Sequence, residues 1–419
     1  GSAFGALVER VRARVAGTNE SGGVRAVGGH PGLLRDFETP GREDGNLSIW
    51  AGTGDENWSA TLVLTGVTDA ADRHPLRLDG SELTLHVGNW LLSQNLMDRW
   101  WGPGSQNSLI LSSNARPIPA ISIDRAESVP FESRWLRWIG PWRLTTLLGR
   151  MDGSRHDVRH PLFWGARVEA RPRPWLELGL QRTSMFCGDG RACGPRAWWD
   201  MLAGKYAAQN NVSSERNPGD SLAGFDLRLA IPGRIPLAIH TQWIGEDVSQ
   251  FVPFKFLGQF GLETGGATAA GGAWHAAVEY SDSTCSFYRD NLGGNRPPLF
   301  GCAYDHSLYD VEGYRYLGRA IGAGTDNDSR LWSGTLRYAP GARGEWTLKF
   351  LNGALNRGSD GHNLLTPVPM QYRALQLGWK GEIGRMGSLG FQLGGQREQR
   401  RGEAEHSSAF GFLDWQHPL

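Results

Sequence analysis

Residues 345–350 (EWTLKF) and 388–393 (SLGFQL) indicate the fold most directly, because large apolar side chains alternate there with polar or small ones. Successive side chains of a β-strand point to opposite faces, so each stretch predicts a strand with one apolar and one polar face. Segments of this kind, each ending at a turn, recur along the chain. They suit a soluble sheet or a membrane barrel. The charges distinguish the two, since a barrel in lipid keeps charges in its lumen or at its ends.

Alternation bounded by Gly, Pro, Asn and Asp predicts about 18 strands, and an even number is typical of bacterial outer-membrane barrels. The predicted strands are 22–30, 45–53, 57–66, 81–89, 105–113, 118–124, 141–150, 161–170, 174–183, 221–230, 235–244, 255–264, 272–280, 330–339, 345–353, 371–380, 388–396 and 407–416. The predicted fold class is therefore all-β, a transmembrane outer-membrane β-barrel of antiparallel strands with a short N-terminal helix. A soluble β-propeller or sandwich is the alternative fold.

The lengths of the connections give an independent test, because these barrels have short periplasmic turns and long external loops. Short predicted connections follow even-numbered strands, and long ones follow odd-numbered strands. The short ones lie at Gly54, Pro172, Pro232, Pro340 and Gly384, and the long ones are 184–220, 281–329, 354–370 and 397–406. This assignment keeps 314–322, which resembles a weak strand, inside a loop. Two long even-side connections, 90–104 and 125–140, are exceptions that we expect to fold under or into the barrel.

The two faces of the predicted strands differ in charge. Outward positions such as Leu178, Leu180 and Leu375 are apolar, and a charge near the bilayer midplane would cost about 2–4 kcal/mol there. Inward positions carry both signs, namely Arg143, Arg167, Glu169, Glu177, Asp226, Arg228, Arg337 and Lys349. An ion pore shows rings of one sign, so mixed signs predict a salt-bridged, partly filled interior and argue against a simple porin.

Composition excludes several partner classes. The chain has 419 residues with 43 basic and 43 acidic side chains, so its zero formal net charge offers no basic field for nucleic acid. No apolar run approaches the roughly 20 residues of a transmembrane helix. The 18 Trp residues suit the interfacial girdle of a membrane barrel, and the 58 Gly residues suit tight turns.

Four cysteines form two local couples, Cys187 with Cys193 and Cys285 with Cys302. An even count in loops predicts two disulfides and an oxidising compartment such as the periplasm or the cell surface. Four unrelated thiols are the alternative interpretation.

The chain opens Gly1-Ser2-Ala3 without Met, which we interpret as a cloning remnant on a trimmed chain. Residues 4–15 predict a short amphipathic helix, either part of a periplasmic element that caps the barrel or a frayed terminal helix. We therefore expect a linker with a short helix at 1–21 and a barrel at 22–419.

The most distinctive stretch is 87–125, which contains GNW (88–90), DRWWGPG (98–104) and SLILSSNARPIP (108–119). Together with PFESRWLRWIGPW (130–142) and LLRDFETPGREDGNLS (33–48), it resembles the Wzi family of capsule-assembly outer-membrane proteins. The motif residues are Asp98, Arg99, Trp100, Trp101, Gly102, Pro103, Gly104, Asn114, Arg116 and Pro117. After 142 the resemblance is one of layout more than of motif.

The resemblance implies an outer-membrane barrel that acts as a lectin and holds capsular or extracellular polysaccharide on a bacterial surface, with membrane lipid around it. The family is not known as an enzyme, and no cofactor or metal is implied. Its members carry a helical bundle before the barrel, and 4–15 is the segment here that corresponds to it. The resemblance also allows other components of polysaccharide export as protein partners.

Aromatic side chains beside charged ones supply the predicted sugar contacts. Trp100 and Trp101 form either a stacking platform or a structural turn, and we favour packing because the connection parity places them on the periplasmic side. The residues predicted to contact polysaccharide in the external loops are Arg196, Trp198, Trp199, Tyr206, Tyr288, Arg289, Tyr304 and Tyr309. Aromatics stack on sugars and Arg pairs with a uronic acid carboxylate. The alternative is that these aromatics are packed loop cores.

Catalytic signals are weak, since the chain contains no HExxH, P-loop or GxSxG motif. His240 and His275 are predicted to face the lumen, but the sequence places no Ser beside them. Residues 326–328 (DND) offer oxygen ligands for a cation, but a solvated turn is the favoured prediction for them. We favour a polysaccharide-binding barrel over a passive outer-membrane channel for saccharides or small solutes, and both over an outer-membrane enzyme that acts on lipid or glycan.

Overall fold

The strands close into a barrel. The computed structural model describes residues 21–152, 154–156, 158–203, 219–246, 248–249, 252–253, 255–287, 298–305, 312–341, 344–358, 361 and 363–419. Its eighteen antiparallel wall strands are, in chain order, β1 (Ser21–His30), β2 (Gly45–Gly54), β3 (Trp58–Thr68), β4 (Glu82–Val87), β5 (Trp90–Asn95), β6 (Ala120–Arg125), β7 (Trp142–Arg150), β8 (Leu162–Arg173), β9 (Leu176–Phe186), β10 (Gly219–Ile231), β11 (Leu237–Gly245), β12 (Phe256–Ala267), β13 (Ala273–Asp282), β14 (Arg330–Gly341), β15 (Gly344–Leu355), β16 (Met370–Glu382), β17 (Ser388–Arg400) and β18 (His406–Pro418).

Each strand pairs with the next in sequence, and β1 also pairs with β18, where Val24 faces His417. The sheet therefore closes on itself and leaves no free edge. This confirms the predicted all-β barrel. The predicted helix at 4–15 lies outside the described residues, so the division into 1–21 and 22–419 stays a prediction.

Connection lengths follow the predicted parity. After even-numbered strands the chain turns within a few residues, at 55–57, 88–89, 174–175, 232–236, 268–272, 342–343 and 383–387. Odd-numbered strands are followed by longer connections, among them 31–44, 96–119, 187–218, 283–329 and 356–369. We call the end of the barrel that carries these longer connections the loop end, and the opposite end the turn end. The predicted long connection on the turn end is present at 126–141. The last loop is shorter than predicted, because β17 continues to Arg400.

The prediction for the fifth strand is wrong. Residues 105–113 are not a strand; β5 is Trp90–Asn95, and a tight turn at Gly88, with a φ of 59°, joins it to β4. Leu109, Ile110 and Leu111 are all buried because this segment runs inside the lumen, where consecutive side chains have neighbours on every side. The expected exception at 90–104 therefore disappears, and 96–119 belongs to the loop end.

The outward faces of the strands are apolar, as predicted. Leu180 and Leu375 are 65% and 56% exposed, whereas the inward Gln242 and His240 are 0% and 1% exposed. Apolar side chains that cover the outer wall, with polar ones inside, are typical of a barrel surrounded by lipid. No helix in the described part of the chain combines the length and apolarity needed to cross a membrane.

Aromatic rings collect at the turn end of the wall. Trp346 lies 5.9 Å from Phe391 and 6.4 Å from Trp379, measured between ring centroids, and all three are close to short turns. Trp142 stacks on Phe131 at 4.6 Å beside the 126–141 connection. Trp rings favour the membrane–water interface, so these side chains mark one boundary of the lipid-facing band.

The lumen is filled by a hydrophobic core and by ion pairs. The core combines side chains of the 96–119 and 283–329 connections, including Trp101, Leu109, Ile110, Tyr304, Tyr314 and Ile321. Around it, charged side chains of the inner wall are paired: Arg167 with Asp226 (2.6 Å), Arg228 with Glu263 (3.1 Å), Arg337 with Glu38 (2.8 Å) and Lys349 with Asp36. The salt-bridged, filled interior predicted from the mixed charges is therefore present.

Candidate functional site

The 96–119 connection enters the lumen and is held there by polar side chains of the wall. Gln242 of β11 donates to the Trp101 carbonyl (2.6 Å) and accepts from the Leu109 amide (2.9 Å). The Glu279 carboxylate of β13 accepts from the backbone amides of Ser105 (2.7 Å) and Gln106 (2.9 Å). A buried backbone amide or carbonyl without a hydrogen-bond partner is costly. These wall side chains supply the hydrogen bonds that water would otherwise have to make to the loop backbone.

The tryptophan pair of the family motif is part of this packing. Trp100 and Trp101 are 3% and 4% exposed, and the Trp100 indole donates to the Gly104 carbonyl (2.7 Å) and meets the Phe37 ring edge-on. A Cβ at Gly104 would lie 2.9 Å from the Asn107 carbonyl, so glycine is needed for the close approach. The pair packs structurally, but its predicted periplasmic position is wrong, because 96–119 follows an odd-numbered strand.

The 283–329 connection covers this segment from the loop end. The structure contains both predicted disulfides, Cys285–Cys302 in this connection and Cys187–Cys193 after β9. The Tyr304 hydroxyl donates to the Leu109 carbonyl (2.8 Å), and the Tyr314 hydroxyl donates to the Ile110 carbonyl (2.9 Å). Tyr304 is fully buried, so its predicted contact with polysaccharide is wrong; it is one of the packed loop aromatics.

Residues 326–328 do not form a solvated turn, contrary to the prediction. Asp326 is 3% exposed and Asp328 is fully buried. The Asp326 carboxylate accepts two bonds from the Arg315 guanidinium, at 2.9 and 2.6 Å, and a third from the Leu364 amide at 3.1 Å. Asp328 accepts from the Gly301 amide at 2.9 Å. These acidic side chains fix the course of the connection inside the barrel.

A cavity of about 210 Å³ lies between four connections of the loop end. Each connection contributes to its lining: Leu33 from 31–44, Asn114 from 96–119, Arg319 from 283–329 and Leu364 from 356–369. The remaining lining residues are Gly318, Ala320, Gly324, Asp326 and Leu365. Gly318 is exposed, and Leu364 is 44% exposed, so both mark the mouth of the cavity. We call this space the loop-end cavity; it far exceeds the roughly 10–15 Å³ that one water needs.

Three guanidinium groups lie at or behind this cavity, and only one of them has a carboxylate partner in the part of the chain that the structure describes. Arg42 contacts Asp98 at 2.6 Å. Arg35 donates to two backbone carbonyls, those of Asn114 (3.3 Å) and Arg42. Within the described residues, no carboxylate lies at ion-pair distance from Arg35 or Arg319. Burial lowers the pKa of Arg35, and the Arg319 and Arg42 charges lower it further. Burial also lowers the pKa of Arg319, although the Asp326 charge acts in the opposite direction.

The helix α1 (Pro195–Leu202) carries three predicted sugar contacts at the loop end. Trp198 faces inward and meets Phe186 edge-on at 4.8 Å, so it anchors the helix to the wall. Trp199 is 65% exposed, and Arg196 is exposed beside Asp200 at 3.7 Å. The open indole of Trp199 is accessible for stacking on a sugar, as predicted for a polysaccharide contact. The predicted contacts Tyr206, Tyr288, Arg289 and Tyr309 lie outside the described residues.

The charged motif residues mainly tie connections together. The Arg116 guanidinium contacts Asp79 (2.7 Å) and Asp72 (2.9 Å) and so joins 96–119 to 69–81. Arg99 donates to the Asn95 amide oxygen at 2.6 Å. Arg99, Arg116 and Pro117 line a small cavity of about 20 Å³ with Asp98. Asn114 is the motif residue that lines the loop-end cavity.

The predicted lumen histidine is held by acidic side chains. His240 Nδ1 lies 2.8 Å from a Glu263 oxygen, and Nε2 lies 4.0 Å from a Glu279 oxygen. Among the residues that the structure describes, no Ser hydroxyl is hydrogen-bonded to His240. The arrangement therefore belongs to the ionic network of the lumen and does not resemble a Ser–His pair.

Comparisons with known proteins show the family and, separately, the fold. A family model described as "Capsule assembly protein Wzi" matches residues 16–406. A Klebsiella pneumoniae protein, described as an uncharacterized 55.8 kDa protein in the cps region, is 27% identical over 360 residues, which cover 84% of this chain and 68% of that protein.

Two solved structures are similar in fold. Escherichia coli Wzi, described as an outer membrane protein involved in group 1 capsule assembly and a carbohydrate-binding β-barrel, superposes with a TM-score of 0.80 at 23% identity, over 100% of this chain and 89% of that one. The outer membrane protein OpdK of Pseudomonas aeruginosa superposes with a TM-score of 0.50 at 10% identity, over 96% and 98% of the two chains.

Proposed function

Because this chain belongs to the capsule assembly protein Wzi family, we propose that it binds capsular or extracellular polysaccharide and helps to anchor or assemble it at the bacterial cell surface. The observation that carries the proposal is the filled lumen: connections of the loop end close the barrel and leave an open cavity at that end. The described carbohydrate binding of the E. coli protein supports the same assignment.

The barrel is an outer-membrane protein, with the loop end outside. Its lipid-facing wall is apolar, and long connections lie outside in bacterial barrels of this type. Polysaccharide outside the cell therefore approaches the end of the barrel that carries α1 and the loop-end cavity. We propose binding and no catalysis, in line with the description of the E. coli protein as a carbohydrate-binding β-barrel.

The direct test is equilibrium binding of the detergent-solubilised barrel to the surface polysaccharide of its own host. We expect saturable binding, and an unrelated neutral polymer such as dextran serves as the control. Equal, unsaturable retention of both polymers would contradict the proposal. The alternative function, a passive channel, requires a continuous lumen, which the packing of 96–119 against 283–329 opposes.

The exposed indole of α1 gives a more specific expectation. Trp199→Ala should weaken polysaccharide binding roughly 2- to 10-fold, since a stacked ring contributes about 0.5–1.5 kcal/mol. The matched control is Trp175→Ala, because Trp175 is 48% exposed in the short turn 174–175 at the opposite end. Titration of both variants against labelled polysaccharide checks the prediction. Identical losses in the two variants would assign the effect to stability instead of stacking.

A further inference from the structure

The loop-end cavity has an excess of positive charge, from the half-buried Arg319 in its lining and the buried Arg35 behind it. The Glu43 and Asp326 carboxylates exert favourable charge on these arginines, but each is engaged by another arginine. Glu43 accepts two bonds of 2.7 Å from Arg77, and Asp326 accepts two from Arg315. In the described structure, neither Arg319 nor Arg35 therefore has a carboxylate partner of its own. A buried guanidinium without a counter-charge is costly, so a site of this kind favours an anion.

Two residues of the cavity lining also carry buried hydrogen-bonding atoms that are unused among the described residues. Arg319 Nη1 is a buried donor and Asn114 Oδ1 a buried acceptor, and neither has a hydrogen-bond partner among the described residues. The orientation of the Asn114 amide is set, because its Nδ2 donates to the Ala320 carbonyl at 2.9 Å. Its oxygen is consequently the atom left to accept. A ligand that satisfies both atoms needs an anionic acceptor and a hydroxyl donor on one small framework.

We propose that the loop-end cavity binds an acidic sugar residue of the polysaccharide, with its carboxylate on Arg319 and a hydroxyl donating to Asn114. This inference rests on the proposed function and names the chemical class of the ligand. Arg35 lies behind the pair, donates to the Asn114 carbonyl at 3.3 Å and adds positive charge to the site. Leu33, Leu364 and Leu365 supply the apolar lining against which the ring carbons pack.

The experiment compares an oligosaccharide that contains glucuronic acid with its carboxyl-reduced form, which differs only in the charged group. The native barrel should bind the acidic form about 10-fold or more tightly, as charge-assisted bonds to Arg require, and added salt should reduce the preference. Arg319→Gln should remove the preference while keeping binding of the reduced form. Arg319→Lys should retain part of it, because the charge remains but the two-pronged geometry is lost.

Arg401→Gln is the matched control, since Arg401 is exposed in the last loop and does not line the cavity. Unchanged heat-modifiable migration in gels verifies that each variant is folded. Equal binding of both oligosaccharides by the native barrel would overturn the acidic subsite but leave the proposed function intact. Binding of neither oligosaccharide would also overturn the acidic subsite, and only if the host polysaccharide fails to bind as well would the proposed function itself be overturned. Competition by inorganic phosphate as strong as that by free glucuronate would assign the site to simple anions and overturn the sugar assignment.

Discussion

Replacement of residues 99–116 by a short Gly/Ser linker is expected to turn an electrically silent barrel into a conducting one. Barrels of 16–18 strands are wide enough for an aqueous channel when nothing fills them. Here Leu109 and Ile110, both fully buried, form the centre of the filling. We expect the wall side chains Gln242 and Glu279, which hold this segment, to tolerate its removal, because water can replace their hydrogen-bond partners.

Planar-bilayer recording measures this effect. The native protein should give no steady conductance, and the replaced variant should give discrete steps. An equivalent replacement within 126–141 is the control, since that connection lies at the turn end and exposes Trp135 and Trp138. Steady conductance of the native barrel would favour the channel function. Silence of the replaced variant would show that the 283–329 connection alone closes the lumen.

Asp326→Ala is expected to reduce the free energy of unfolding by about 3–5 kcal/mol, the usual cost of removing one partner of a buried ion pair. The Arg315 side chain is 2% exposed and would lose two hydrogen bonds from its guanidinium to the carboxylate. The Leu364 amide would lose its acceptor as well. We therefore expect the 356–369 connection to loosen together with 283–329.

The unfolding temperature, followed by heat-modifiable gel migration, and protease cleavage within 283–329 report these changes. Asp189→Ala is the matched control at the loop end, because its contact with Arg159 (3.4 Å) is exposed and exposed pairs contribute about 0–1 kcal/mol. The double variant Arg315→Met with Asp326→Leu should recover much of the lost stability, since it leaves no buried charge unpaired. Equal effects of Asp326→Ala and Asp189→Ala would contradict the assigned role of the pair.

The wall of the barrel was predictable because each strand obeys a local rule. Leu178 and Leu180 meet lipid while Gln181 meets the lumen, so the alternation along β9 is visible in the sequence itself. The prediction failed at residues 105–113 because side chains on both sides of this segment are buried in the lumen. In a segment that is packed on all sides, apolar and polar residues need not alternate, so the sequence does not distinguish it from a buried strand.

The loop-end cavity could not be predicted in the same way. Its lining comes from four connections that are widely separated in sequence, and nothing local distinguishes Arg319 or Arg35 from solvated arginines. Tyr304 shows a related limit of the sequence, because an aromatic residue in a loop looks the same in sequence whether its side chain is exposed or buried in a core. The charge balance at Asp326 likewise depends on Arg315, which only the folded connection brings to it.

The hydrogen bonds of Gln242 constrain how the molecule is assembled. This side chain holds the backbone at Trp101, 141 positions earlier in the chain, and Lys349 holds Asp36 across 313 positions. The early connections therefore have no fixed place to dock until strands from the second half of the chain have joined the wall. We expect the insertion of late strands and the ordering of early loops to occur in the same step. The barrel wall and the connections packed inside it would then fold together.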